Sequence, residues 1–296
     1  HLHRHRLRRL HRKLVVIDAR VAFVGGINIV DDDNAPEDMR PRYDYAVRIE
    51  GPALRQIHHA ARRMWEIVSW AKFRRRFRPA VPVTPGYEIT GEQEAALLIR
   101  DNIRHRNDIL QAYITAINGA RDEILIANAY FLPGLRFGLA LHAAARRGVR
   151  ITILLQGKTD HPLLRYATQT LYAALLKAGM RIYEYEKSFM HAKVAVIDRV
   201  WATVGSSNID PFSLLLAKEA NLFVRNPAFA AELHVSVGHA IASGAREVLA
   251  GELTTHPWYL RTVRWLSYVL VRAVVGLTGY GHKHWPSDGQ TPGASS

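Results

Sequence analysis

The chain repeats itself, and that constrains its fold more than any other feature. His11-Arg-Lys-Leu-Val-Val-Ile-Asp18 returns as His191-Ala-Lys-Val-Ala-Val-Ile-Asp198, 180 positions on (191 − 11). Each copy leads into a short apolar run and then into small residues with an Asn. These are Val24-Gly25-Gly26-Ile27-Asn28 in one and Val204-Gly205-Ser206-Ser207-Asn208 in the other. Asp44-Tyr-Ala-Val-Arg-Ile-Glu-Gly-Pro52 is matched in turn by Glu219-Ala-Asn-Leu-Phe-Val-Arg-Asn-Pro227. Three blocks in one order define two homologous halves.

The halves are unequally long. Ahead of His191, helix and strand patterns alternate. Asp108 to Asn118 reads as a helix, Glu123 to Tyr130 as a strand and Phe137 to Arg147 as a helix. Val149 to Leu155 follows as a strand, Pro162 to Ala178 as a helix and Met180 to Tyr185 as a strand. This alternation predicts an α/β fold with a mainly parallel sheet and helices on its faces. Only ten residues precede His11. If the halves are equivalent, roughly 80 residues of the first unit lie outside this sequence, and the chain is expected to be a fragment. Lys72-Phe-Arg-Arg-Arg-Phe-Arg78, followed by Pro79, Pro82 and Pro85, predicts a basic, irregular connection. The expected division is residues 1–71 for the later part of the first unit, 72–100 for the linker and 101–250 for the second unit. Residues 251–296 form a C-terminal segment with a loose Gly-, Pro- and Ser-rich tail.

Composition narrows the partners. At 48% hydrophobic and 22% charged, the 296 residues have the make-up of a globular protein. Forty Lys and Arg against 26 Asp and Glu give a net charge of +14, which favours a polyanion, either nucleic acid or an anionic membrane. The absence of cysteine rules out disulfide scaffolds and cysteine-based metal sites. No window supplies the roughly 18–20 uninterrupted apolar residues of a membrane span. The nearest, Trp265 to Thr278, is broken by Arg272.

The repeated block carries residues suited to phosphodiester chemistry. Residues two apart on a strand share a face, so His11 and Lys13 point together, as do His191 and Lys193. Past each Lys the residues are all apolar, which predicts a strand buried on both faces. Asp18 and Asp198 end their strands, where a carboxylate can fix a turn or pair with a cation. An imidazole can attack phosphorus and hold the phosphoryl group covalently. A second, protonated imidazole can donate to the leaving alkoxide. Two ammonium groups can balance charge on the non-bridging oxygens. Asn28, Asn208 and Ser206 could add neutral donors. Asp44 and Glu219 could accept from the imidazole nitrogen remote from phosphorus and fix the tautomer. The scheme calls for neither metal nor cofactor. One such motif alone is a weak pattern; two, each followed by Gly-Gly or Gly-Ser and Asn, are not. His58, His59 and His105 lack motif support and are expected at the surface.

At these residues the chain resembles the phospholipase D superfamily, whose signature is H-x-K-x4-D-x6-G-[GS]-x-N or a close variant. Asp44-Tyr-Ala-Val-Arg48, Asn128-Ala-Tyr-Phe-Leu-Pro133 and Ser206-Ser-Asn-Ile-Asp-Pro-Phe-Ser213 extend the resemblance to bacterial cardiolipin synthases, the B-type branch in particular. The resemblance implies two phospholipase D-like α/β sandwich units related by pseudo-twofold symmetry, the first incomplete, with both motifs in one cleft. It implies transfer of a phosphatidyl group between two phosphatidylglycerol molecules through a phosphohistidine, at the surface of the bacterial cell membrane. Carried over, His11, Lys13, Asp18, His191, Lys193 and Asp198 form the catalytic set, with His11 taken as nucleophile. Asn28, Asn208, Ser206, Asp44 and Glu219 bind phosphate or orient the catalytic groups.

Phospholipase D-type nucleases and phospholipid hydrolases share the motif, so nucleic acid is the alternative partner. The C-terminal stretch from Trp258 to Arg272 mixes Trp, Tyr, long aliphatics and spaced Arg. That pattern suits a helix lying in a membrane interface, and it also suits a helix packed on the protein's own core. The first use favours lipid.

Overall fold

The first half supplies β1 (Lys13–Ile17), β2 (Val21–Gly25), β3 (Arg42–Tyr43), β4 (Ala46–Ile49) and α1 (Leu54–Ala71). The second half opens with β5 (Glu94–Ile99), α2 (Asp108–Gly119), β6 (Glu123–Asn128) and α3 (Leu135–Arg146). It continues with β7 (Arg150–Gln156), α4 (Pro162–Gln169), α5 (Tyr172–Lys177) and β8 (Arg181–Tyr185). Next come β9 (Phe189–Met190), β10 (Lys193–Ile197), β11 (Trp201–Gly205), β12 (Ala220–Arg225) and α6 (Pro227–Gly244). Last are β13 (Ala245–Glu247), α7 (Ala250–Thr255) and α8 (Trp258–Val275). The computed structural model describes residues 10–31, 33, 37–71, 91–101, 104–158, 161–210, 213, 217–255 and 258–275.

Eight strands form one sheet in the order β13-β8-β7-β6-β10-β11-β12-β5. It is mixed, where the sequence pattern predicts a mainly parallel one. Only β6, β7 and β8 run parallel, because only they are joined by helical crossovers. The strands β6, β10, β11, β12 and β5 pair antiparallel in that order, and β13 pairs antiparallel with β8 at the other edge. The single helix expected over 162–178 breaks around Thr170. There Thr168 and Thr170 turn their hydroxyls back onto the Leu164 and Tyr166 carbonyls at 2.9 and 3.2 Å, a bond that bends helices. Gly148 and Gly179, with φ of 87 and 81°, stop α3 and α5 just before β7 and β8.

The first half builds a smaller antiparallel sheet, β1-β2-β4, the counterpart of β10-β11-β12. The two central strands differ in burial. All five residues of β10 are buried between β6 and β11. In β1, Val15 and Ile17 are 39% and 48% exposed. The expectation of a strand buried on both faces therefore fails for the first copy, because no described strand occupies the place beside β1 that β6 holds beside β10. The expected linker is shorter than 72–100. Residues 72–90 lie outside the described set, and Glu94–Ile99 is a strand hydrogen-bonded to β12. The C-terminal tail, 276–296, also lies outside it.

One apolar cluster packs α2, α3 and α5 on one face of the large sheet, and a second packs α6 on the other. A third joins the halves: Ala22, Val24, Leu54 and Ile57 meet Leu97, Leu222 and Val224. Tyr43, Tyr45 and Val47 also pack on the second cluster. The halves thus share core, and their contacts are reciprocal. β3 runs parallel to β9, while Leu10 bridges in parallel to Lys218. Matched pairs of this kind mark a twofold relation.

Candidate active site

Each motif histidine sits just before its strand, at an end fixed by the other half. The His11 N–H donates to the Lys218 carbonyl at 3.0 Å, and the His191 N–H to the Tyr43 carbonyl at 2.7 Å. Lys218 and Tyr43 each precede a carboxylate, and the side chains repeat the exchange. His191 Nδ1 lies 2.8 Å from Asp44 Oδ2. His11 Nδ1 lies 3.1 Å from both Glu219 oxygens. An imidazole that donates from Nδ1 to a carboxylate leaves Nε2 free to attack or to exchange a proton. The sequence suggested that these carboxylates orient the imidazoles; the structure pairs each with the histidine of the opposite half.

The small residues after each strand make room for these carboxylates. A β-carbon on Gly26 would lie 2.3 Å from an Asp44 carboxylate oxygen, so no side chain fits there. The second half has Ser206 at the equivalent place. Its hydroxyl donates to Glu219 Oε2 at 2.5 Å, and the longer Glu side chain accommodates it. The Gly-Gly and Gly-Ser variants of the motif thus match the Asp and Glu they face.

Lys13 and Lys193 share the faces of their histidines. Lys13 Nζ donates to the His11 carbonyl at 2.9 Å, and Lys193 Nζ to the His191 carbonyl. Lys193 is completely buried, 3.6 Å from Asp44 Oδ2. Burial lowers its pKa to about 8 against the pull of Asp44 and Glu219. Burial, helped by the charge of Lys193, brings Lys13 to about 8 as well. Burial and then Lys193 push His191 down to about 4, and Asp44 opposes the shift. Lys13 and Lys193 stand beside two carboxylate–imidazole pairs, and a phosphodiester anion arriving between the ammonium groups would favour their charged forms.

The remaining predicted residues fall into two groups. Ser206 and Asn208 are buried near the site, with the Asn208 amide 3.4 Å from Ser213 Oγ. Asn28 is half-buried and makes no hydrogen bond among the described residues. Asp18 and Asp198 are not brought to the histidines. They occupy the hairpin turns at the far ends of β1 and β10, about 16 Å along the strand from each Lys. Both are left-handed there, with φ of 50 and 51°, which Asp tolerates better than most residues. Asp198 accepts from the N–H groups of Arg121, Asp122 and Glu123 at 2.9–3.0 Å, anchoring the start of β6.

Sequence reasoning missed several supporting residues. Arg42 lies over the Phe189 ring at 5.0 Å, and that ring stacks on His191 at 5.9 Å. Its position two before Asp44 on an extended segment was the available signal. Arg12 donates to the Glu219 and Arg100 carbonyls at 3.0 and 2.7 Å, tying the His11 segment to the large sheet. Gln156 accepts from the Met190 N–H at 2.7 Å, beside His191. No local pattern announces that contact, 34 residues apart.

Comparison with known proteins supplies the context. A family profile described as "Cardiolipin synthase, PLD-like domain" matches residues 113–239. Cardiolipin synthase B of Escherichia coli (strain K12) is 39% identical over 289 residues, covering 94% of this chain and 67% of that protein. Cardiolipin synthase A of Yersinia pseudotuberculosis serotype O:3 (strain YPIII) is 31% identical over 266 residues, 88% of this chain and 53% of that one. Among solved structures, phosphatidylserine synthase of Haemophilus influenzae Rd KW20 superposes with a TM-score of 0.61 at 12% identity. That match covers 92% of this chain and 70% of the other, and shows a shared fold.

Proposed function

This chain belongs to the cardiolipin synthase family of phospholipase D-like enzymes, and on that premise we propose that it moves a phosphatidyl group from one phosphatidylglycerol to the hydroxyl of another. The observation that carries the proposal is the exchange of carboxylates between halves. It leaves two imidazoles with Nε2 free, flanked by two lysines. In the first step, Nε2 of one histidine attacks phosphorus and the P–O bond to glycerol breaks. The other imidazole gives its proton to the departing alkoxide. In the second, that imidazole takes the proton of the acceptor hydroxyl, whose oxygen displaces the phosphohistidine and restores the first histidine.

His11 is assigned the attack. Its side chain is 33% exposed against 10% for His191, so it is the more accessible to an incoming lipid. Burial and Lys193 lower the His191 pKa to about 4, and the negative charge of an arriving phosphodiester raises its proton affinity. A donor of low intrinsic pKa is a strong acid towards an alkoxide.

The membrane is the proposed partner, with the protein peripheral to it. Ser267 and Val271 turn one side of α8 inward, and α8 packs on α4. Tyr259, Val263, Trp265, Leu266, Val269 and Leu270 remain 40–56% exposed on the rest of the helix. The inner face serves the packing role expected of this segment, and the outer face is the one proposed here for lipid. No helix among the described residues is long and apolar enough to cross a membrane. An exposed apolar face with Trp and Tyr suits lateral contact with lipid.

The test supplies labelled phosphatidylglycerol vesicles and, separately, a labelled oligonucleotide, without added metal and beside His191→Ala. Glycerol release with a diphosphatidyl product, abolished in the variant, is the expected outcome. Cleavage of the oligonucleotide with untouched lipid would transfer the protein to the nuclease reading, which the net charge of +14 also suits.

A further inference from the structure

A groove of about 780 Å³ runs between α1 and β5, outside the histidine pocket. Its floor is apolar, formed by Leu97, Leu98 and Ile99 of β5. One ridge of α1 lines the opposite wall: Arg55, His59 and Arg63 stand at successive i, i+4 positions, and all three are exposed. Arg12 and Lys218, chain neighbours of His11 and Glu219, line it as well. Two carboxylates reach the groove as well, and both are engaged locally. Asp101 accepts from the Arg104 and His105 N–H groups, and Asp108 lies 2.8 Å from His105 Nδ1. With histidines neutral, four cations stand against two anions.

We propose that this groove holds the acceptor phospholipid, an anionic amphiphile whose phosphate meets the α1 cations and whose acyl chains lie on the β5 floor. The inference rests on the phosphatidyltransferase reading and names where its second substrate binds. Charge and apolarity together specify the ligand. A free phosphate has no use for Leu97 or Ile99, and a neutral lipid has none for Arg55 and Arg63. Position supports the same occupant. Arg12 follows His11 directly and Lys218 directly precedes Glu219, so two of the groove's cations are chain neighbours of a histidine–carboxylate pair. A phospholipid seated there can extend its glycerol headgroup to the phosphohistidine while its tails stay clear of the donor. An acceptor without phosphate or tails, such as free glycerol, has no contact with the α1 ridge.

Two measurements on the full chain test this. The first compares the wild type with Arg55→Ser/Arg63→Ser in mixed micelles of phosphatidylglycerol. It follows transfer to a second phosphatidylglycerol and exchange of the headgroup with labelled glycerol. Loss of two charge-assisted contacts to one phosphate is expected to lower the first reaction roughly tenfold or more and to leave the second within about twofold. Equal loss in both reactions, or none in either, overturns the proposal. The second measurement is independent of turnover. Phosphatidylglycerol carrying a photoreactive acyl chain is crosslinked to the protein and the labelled peptides are mapped. Label on α1 and β5, diminished in the double variant, supports the site; label confined to other peptides overturns it. A protein that crosslinks there yet transfers nothing would retain the groove and lose the transferase reading. Displacement of the lipid from α1 by an oligonucleotide would assign the ridge to nucleic acid instead.

Discussion

His191 holds its Nδ1 2.8 Å from Asp44, a carboxylate that belongs to the other half of the repeat. The reverse pairing, His11 with Glu219, completes the exchange. Neither half therefore orients its own imidazole, and the pocket exists only where the two meet. A duplication that swaps its orienting groups makes the interface between units a requirement for chemistry as well as for stability.

Replacing Asp44 by Asn keeps the shape and removes the charge. The amide can present its N–H₂ to Nδ1 and favour the wrong tautomer, and the pull that supports the His191 proton is lost. We expect kcat to fall by roughly 10³–10⁴-fold with the fold intact, as when the carboxylate of a hydrolytic triad is neutralised. Glycerol release measured beside circular dichroism checks this. A loss under tenfold would show that Asp44 does not orient His191.

Gly26 and Ser206 occupy equivalent places and should respond differently. In Gly26→Ala the new methyl would stand 2.3 Å from the Asp44 carboxylate, so Asp44 must move and release His191. In Ser206→Gly the hydrogen bond to Glu219, worth about 1.5–3 kcal/mol, disappears together with the one accepted from the Ala220 N–H at 3.1 Å. The expected result is a larger kcat loss in the variant that adds one carbon than in the one that removes a hydroxyl. The opposite order would mean that the serine acts on substrate.

Burial brings both site lysines to about 8, helped at Lys13 by the charge of Lys193 and at Lys193 by that of Arg42. Anion binding needs their charge, so affinity for vanadate should weaken as pH rises from 7 to 9.5. Stability should move the other way. Between pH 8 and the unfolded-state value near 10.5, the unfolded chain carries protons that the folded chain has released. ΔG of unfolding therefore increases with pH in that window. Titrating vanadate affinity and the melting temperature in parallel checks the two signs. Lysines that kept their charge to pH 10 would flatten both curves.

Much of this was legible in the sequence because it is local. The repeat, the shared face of His and Lys, and the alternation from 108 to 185 depend on spacings within a strand or helix. What escaped depends on which surfaces meet. Arg42, Arg12 and Gln156 act across 34 to 207 positions, and the crossed carboxylates required the relation of the halves. The strand pattern predicted burial for β1 that β10 receives, since a run of apolar residues does not report its neighbours. The same limit applies to the repeated Asp, which sequence groups with the catalytic residues and the structure places at the opposite end of the strand.

That placement gives Asp198 a measurable role of its own. Its carboxylate takes three backbone N–H groups at the start of β6. Asp198→Asn should cost about 1–3 kcal/mol of stability, the penalty of leaving such donors poorly paired. Activity per folded molecule should persist, since β10 still carries Lys193 to the site. Chemical denaturation together with active-site titration separates the two. A stable variant without turnover would return Asp198 to the catalytic set.

The exposed side of α8 bears on how the enzyme finds its substrate. Trp265 and Leu266 are 56% and 53% exposed, while Val271 on the same helix is 3% exposed. Substituting the outer residues should spare the packing on α4. We expect Trp265→Ser/Leu266→Ser to keep the wild-type unfolding free energy within the usual range for surface changes, about 0.5 kcal/mol per substitution. Its partition onto phosphatidylglycerol vesicles should fall, since interfacial binding follows buried apolar area. Turnover of vesicle lipid should drop with it, whereas turnover of a short-chain monomeric phosphatidylglycerol should not. Sedimentation with vesicles and the two assays make the comparison. Unchanged partition would detach α8 from the membrane and assign lipid contact to another surface. Equal loss on both substrates would mean that the helix supports the site and does not deliver the enzyme to it.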